Sequence, residues 1–187
     1  MYLLTLFTLP LQLYELKNYD NWVVYRLFNA SSKLPFDCIT HKPAQSNNRY
    51  TWHSYDEAFE AYINHSYDGL GFMLSDGYVG IDLDNCISNS IIVNDIAKDI
   101  LDMVDSYTEY SPSKTGLHIL CKSDSNLKIG RKNDKLGIEI YNHNRFFTIT
   151  GDVYKDMPIE YRDVKIVISK YFNDMSSILD EYLYMEV

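Results

Sequence analysis

The sequence predicts an α+β domain with a largely antiparallel sheet, and three observations carry that prediction. Short runs of β-branched and aromatic residues recur between turn-forming clusters. Helical patterning is confined to a few stretches, near 54–65, 90–105 and 159–184. Strands and helices are mixed along the chain, and several strands follow one another as apparent hairpins.

Taken in order, the opening Met1–Leu9 is apolar and reads as a buried strand or lead-in, too short to span a bilayer. Residues 20–28, Asp-Asn-Trp-Val-Val-Tyr-Arg-Leu-Phe, form a strand, and 29–53 is a polar loop. Ser54-Tyr55-Asp56-Glu57 is a capping box that opens a helix to about His65, with Ala58, Phe59, Tyr62 and Ile63 on its buried side. A hairpin follows: strand 71–74, the turn Ser75-Asp76-Gly77, and return strand 78–84. Ile92, Ile96, Ile100 and Val104 recur every fourth residue and predict a helix over about 90–105. Strands are expected at 116–122, 137–141 and 145–150, the last two joined by Asn142-His143-Asn144. The tail from about 159 to 184 reads as one or two helices.

A chain of 187 residues buries about 70% of its unfolded surface and folds without staples. Cys38, Cys86 and Cys121 are scattered, with no C-x-x-C spacing, so neither a disulfide framework nor a structural zinc site is indicated. The expectation is a cytoplasmic protein with reduced thiols and no membrane association. Seventeen basic residues against 26 acidic give a net charge of −9, awkward for a phosphate binder. The charge is polarised, however: Lys122, Lys128, Arg131, Lys132 and Lys135 cluster in one stretch of an acidic chain.

The sharpest chemical feature is Val79-Gly80-Ile81-Asp82-Leu83-Asp84. Alternation along a strand puts Asp82 and Asp84 on one face, about 7 Å apart. Like charges so placed raise each other's pKa unless a cation lies between them, and hard oxygen ligands suit Mg²⁺ or Mn²⁺. Two solvated aspartates at a strand end are the plainer alternative. Ser111-Pro112-Ser113-Lys114-Thr115-Gly116-Leu117-His118 is a small-residue turn entering a strand, able to bring amides, Lys114 and His118 to an anion, although it lacks Walker spacing. A packed core histidine is the alternative there. In Gly137-Ile138-Glu139-Ile140-Tyr141 an isolated acid faces away from two isoleucines, either as an exposed glutamate or as a third carboxylate beside the aspartates.

In order and spacing these motifs resemble the bifunctional primase-polymerase (Prim-Pol) domain of phage and plasmid replication proteins, within the archaeo-eukaryotic primase superfamily. The resemblance runs from about Leu13 to Tyr154. It includes Asn21-Trp22-Val23-Val24-Tyr25-Arg26, Leu34-Pro35-Phe36-Asp37, Thr51–Ala58 and Tyr67–Phe72, followed by Asp82-Leu83-Asp84, Gly116-Leu117-His118 and Glu139.

The resemblance implies a two-lobed catalytic domain over 1–187, with an RRM-like antiparallel sheet flanked by helices. Its parts would be an N-terminal lobe to about 66, a motif-bearing sheet over about 67–155, and a helical tail. It implies a DNA-dependent nucleotidyltransferase, a polymerase with priming left open, acting on single-stranded or primed DNA with dNTPs or NTPs. A replicative helicase or accessory helical domain is the implied partner. Asp82, Asp84 and Glu139 would ligate catalytic Mg²⁺ or Mn²⁺, as a two-metal site. His118, with Ser113, Lys114 and Gly116, would face the nucleotide's phosphates, and Arg131, Lys132 and Arg145 would add cations. Lys114 departs from the pattern, which favours glycine. Two other readings stand beside this one: a non-catalytic replication module on the same fold, and a nucleotide-sugar glycosyltransferase. The last predicts a parallel sheet and leaves the Gly116-Leu117-His118 motif unexplained.

Overall fold

Two antiparallel sheets meet at a cleft in the structure, a computed structural model that describes residues 7–28, 32–124 and 128–172. In chain order, a 3₁₀ helix (Leu11–Asn18) leads into strands β1 (Trp22–Leu27) and β2 (Lys33–Phe36). A 3₁₀ turn (Arg49–Thr51), helix α1 (Tyr55–Asn64) and strands β3 (Gly69–Met73) and β4 (Tyr78–Leu83) follow. Next come β5 (Ile87–Ser88), β6 (Ile91–Ile92), α2 (Asp95–Val104), β7 (Thr108–Tyr110) and β8 (Leu117–Lys122). The chain then forms β9 (Gly130–Asn133), β10 (Ile138–Tyr141), β11 (Phe146–Ile149), β12 (Val153–Lys155) and α3 (Lys165–Tyr171). One sheet has the order β11-β3-β1-β2, the other β12-β7-β8-β4-β10-β9, and β5 pairs with β6 alone. Every ladder between these strands is antiparallel, which removes the parallel sheet that the glycosyltransferase reading requires.

The sequence explains the elements locally. Ser54 accepts the Glu57 amide while the Glu57 carboxylate accepts the Ser54 amide, so α1 begins where its capping box sits. Asn94 accepts the amides of Ile96 and Ala97 and starts α2 there. The helix therefore begins later than the isoleucine spacing suggests, because Ile92 belongs to β6. On α1 the buried residues are Tyr55, Ala58 and Ala61; Phe59 and Tyr62 pack at the margin, and Ile63 is exposed.

Among the described residues, two large cores and a smaller cluster of Val23, Ala44, Trp52 and Met73 hold the sheets. The first joins Trp22, Val24, Leu70 and Phe72 of the four-stranded sheet to α1, the N-terminal 3₁₀ helix, and Tyr78 and Leu120 of the six-stranded sheet. The Trp22 indole N–H donates to the Leu16 carbonyl at 3.0 Å, so its polar atom is satisfied inside this core. The second is aliphatic: Val79, Ile81, Leu83, Leu117, Ile119, Ile138 and Ile140 pack against Ile100, Leu101 and Val104 of α2 and Val164, Val167 and Ile168 of α3. Cys38, Cys86 and Cys121 are free and buried.

The expected hairpin at 71–84 and the expected turn at 142–144 are instead crossings between sheets. β3 pairs with β1 and β11, whereas β4 pairs with β8 and β10. The turn between them uses left-handed Asp76 and Gly77, but Asp76 is tied to Arg49 and Asn21, which holds it toward the four-stranded sheet. Likewise β10 and β11 lie in different sheets, so Asn142-His143-Asn144 is a corner between layers. The loop expected at 29–53 contains β2 and a 3₁₀ turn, and the basic stretch contains β9. Residues 7–10 form no strand, while the rest of the opening segment and the tail beyond 172 lie outside the described residues. Among the described residues no helix is long and apolar enough to cross a membrane.

Candidate active site

β4 lies between β8 and β10, and its register lines up one residue from each of five neighbouring strands. Glu109 of β7 faces His118 of β8, His118 faces Asp82 of β4, Asp82 faces Glu139 of β10, and Glu139 faces Lys132 of β9. Directly opposed residues in an antiparallel ladder share a face, so these five form a single charged row across the sheet. The residues between them along each strand, such as Ile81, Leu83, Leu117, Ile119, Ile138 and Ile140, turn into the aliphatic core.

The row opens into a cleft of about 520 Å³. Asp82, Asp84, His118, Lys132, Glu139 and Tyr141 line it from the six-stranded sheet; Ser32, Lys33, Arg145, Phe146, Phe147 and Thr148 come from β2, β11 and their approaches. His118 is buried: its Nδ1–H donates to the Thr148 carbonyl at 3.2 Å, and its Nε2 lies 3.7 Å from Asp82 Oδ1. The Phe147 ring packs against the imidazole, with centroids 4.6 Å apart. Glu139 is nearly buried and holds a cation on each oxygen: Lys132 Nζ at 2.9 Å on Oε1 and Arg145 Nη2 at 2.5 Å on Oε2. Arg145 also lies over the Tyr141 ring at 4.6 Å. Bonds to Glu139 and then Asp134 push the Lys132 ammonium above its usual range. Thr148 is buried, and its Oγ1 has no hydrogen-bond partner among the described residues, an orphan hydroxyl in the wall of the cleft.

Asp84 is held above the ordinary carboxylate range, first by burial and then by the charges of Asp82 and Glu139; Lys132 and Lys33 offset part of this. Asp82 and Asp84 are hard oxygen donors in one wall of the cleft, a donor chemistry that suits a divalent cation of the Mg²⁺ class. Glu139 is committed to its two cations instead. Among the described residues no group of three or more His, Cys, Asp and Glu side chains is gathered for a metal ion.

The structure brings Asp82, Asp84, His118, Glu139, Lys132 and Arg145 together and leaves four other candidates outside the lining of the cleft. Ser113 bonds within its own turn, to Ser111 and Thr115. Lys114 pairs with Asp152. It adopts φ 63°, the left-handed region that favours glycine, which is the physical content of the departure noted in the sequence. Gly116 serves packing: a Cβ there would come within 2.6 Å of the Leu83 carbonyl oxygen, so its absence lets β8 start against the end of β4, next to Asp82 and Asp84. Arg131 pairs in register with Ile140 while Lys132 pairs with Glu139, so the pleat sends the two neighbours to opposite faces.

Two cleft-associated residues escape a reading of the sequence. Lys33 reaches the site only through the fold, and nothing local marks it. Glu109, between Thr108 and Tyr110, carries the same signal that singles out Glu139, an isolated acid in a strand.

No family model matches the chain. It is 34% identical over 145 residues, 74% of its length, to the DNA Primase-polymerase of Nitratiruptor phage NrS-1. The chain spans 20% of the length of that phage protein. The α+β architecture with antiparallel sheets is compatible with such a domain. Over the matched stretch, this likeness to a phage primase-polymerase supports a primase-polymerase (Prim-Pol) domain.

Proposed function

We propose that this chain is the catalytic domain of a DNA-dependent nucleotidyltransferase that extends a primer with dNTPs, with de novo priming as a second activity of the same site. The carrying observation is the charged row together with Asp84 just beyond β4: two metal-type carboxylates, a histidine and a cation-bearing glutamate line one cleft. Asp82 and Asp84 would hold Mg²⁺ or Mn²⁺, with Glu139 joining them in a two-metal site. When bound, the metal supplies neutralisation of the triphosphate charge and activation of the attacking 3′-hydroxyl. His118 turns Nε2 toward the cleft, where, as an imidazolium with both ring nitrogens protonated, it donates to a phosphate oxygen. Lys132 and Arg145 exchange their hold on Glu139 for the triphosphate and then for the leaving pyrophosphate, which frees the glutamate oxygens. Lys33 approaches the same charge from the other sheet. Ser113, Lys114 and Gly116 enter this reading as the scaffold that sets β8 against β4.

The two sheets correspond in this proposal to the lobes of an archaeo-eukaryotic primase-like domain. Template DNA is held by the basic stretch around β9 and by stacking on exposed aromatics such as Phe28 and Tyr50. A helicase or accessory helical domain and the cytoplasm of a host carrying a phage, plasmid or mobile element complete the setting. A second reading, a module that binds nucleotide or DNA without turnover, draws on the engagement of both Glu139 oxygens by cations.

Incorporation of labelled dNTPs and NTPs on a primed template and on an unprimed single strand, with Mg²⁺ or Mn²⁺, separates the two. Metal-dependent extension that disappears in Asp82→Ala/Asp84→Ala establishes the polymerase, and products on the unprimed strand add priming. Inert wild-type protein that still binds nucleotide or DNA favours the binding module.

A further inference from the structure

We propose that Glu109 is a positioning residue for His118, fixing the imidazole so that Nε2 stays turned to the cleft. The inference rests on the reading of His118 as a phosphate contact. Glu109 is fully buried, and among the described residues the one basic side chain paired with it is His118, whose Nδ1 lies 3.7 Å from Oε1. Its oxygens accept the Thr150 amide at 2.8 Å, the Gly151 amide at 3.0 Å and the Tyr107 hydroxyl at 3.0 Å. Those two amides directly follow β11, the strand whose Thr148 carbonyl accepts the His118 Nδ1–H and whose Phe147 ring covers the imidazole face. One carboxylate thus clamps the end of the four-stranded sheet to β7 and flanks the Nδ1 edge of the ring held between them.

The chemistry favours this role over a plain staple. Burying a carboxylate is costly, and two backbone amides are satisfied equally well by a neutral oxygen. The charge instead sits beside the imidazole of the catalytic row, its cross-strand neighbour. A carbonyl only accepts, so the Thr148 contact commits the Nδ1 proton. With Glu109 on the same edge, Nε2 is the ring nitrogen left for the cleft.

A double-mutant cycle tests the proposal by measuring dATP binding in Mg²⁺ without template. Glu109→Gln, which keeps the shape, should weaken dATP about tenfold, the scale of one charge-assisted contact. In a His118→Ala background the same change should cost nothing further. Mn²⁺ binding without nucleotide, read by electron paramagnetic resonance, should stay at the wild-type level, because Asp82 and Asp84 are untouched. An equal loss in both backgrounds, or wild-type dATP affinity in folded Glu109→Gln, overturns the proposal. If Glu109→Gln does not melt cooperatively, Tyr107→Phe takes its place, with an expected two- to threefold loss that vanishes without His118; a loss that persists there is contrary. If His118→Ala alone leaves dATP binding unchanged, the phosphate role of His118 falls, and this proposal with it. If only the Glu109 change is silent, the site reading survives and the positioning role does not.

Discussion

The two faces of the six-stranded sheet are built from the same strands and do opposite work. One face carries Val79, Ile81, Leu83, Leu117, Ile119, Ile138 and Ile140, all buried against α2 and α3. The other carries Asp82, His118 and Glu139, one residue along from those side chains, together with Lys132. The period of two that separates them is the reason a sheet can combine a rigid base with a polar working surface. The aliphatic face is buried packing; the charged face gathers ionisable groups, and there burial first, then the charges of Asp82 and Glu139, hold the Asp84 carboxyl above its ordinary range. The comparison teaches that stability and chemistry should respond separately to substitutions one residue apart.

The largest expected separation comes from Asp82→Ala/Asp84→Ala. Incorporation should fall on the order of a thousandfold, the several kcal/mol that metal-held charge supplies, while the melting temperature holds or rises because repulsion is relieved. Parallel primer-extension rates and thermal melts check this; a collapsed melt would mean the aspartates also hold the fold. Gly116→Ala should breach the separation, since a Cβ against the Leu83 carbonyl displaces the strand end bearing both aspartates. It should cost about 1–3 kcal/mol of stability and about a hundredfold in incorporation, measured by denaturant unfolding and single-turnover extension. Ile119→Ala, on the aliphatic face, should cost about 2–5 kcal/mol with incorporation per folded molecule kept within a few-fold. Lys114→Gly should do least. It trades an exposed ion pair for relief of a left-handed residue, changing stability by less than about 1 kcal/mol and dNTP KM by less than about threefold.

The sequence made the local devices legible. The capping box of α1 and the β4 and β8 strands follow from spacing alone, and the structure carries each of them; Asp84 falls just past the end of β4, yet it lines the same cleft as Asp82. What spacing does not encode is which strands pair. Ser75-Asp76-Gly77 has hairpin chemistry, yet tertiary ties from Asn21 and Arg49 send the strands on either side of it into different sheets. Lys33 therefore arrives at the cleft from β2 with no local mark, and Arg131 and Lys132, adjacent in sequence, part to opposite faces once β9 forms a strand. Glu139 was visible as an isolated acid, but its pairing with Lys132 and Arg145 depends on β9 and the corner at 142–144.

The central claim is that the charged face, and not the turn at Ser113–Gly116, receives metal and nucleotide. Crystals soaked with Mn²⁺ and a dNTP test it most directly through the anomalous signal of manganese. The account predicts a manganese peak bridging Asp82 and Asp84, with the triphosphate against His118, Lys132 and Arg145 and both cations turned away from Glu139. A triphosphate seated on the Ser113–Gly116 turn, or manganese remote from the two aspartates while Glu139 keeps its cations, would contradict it.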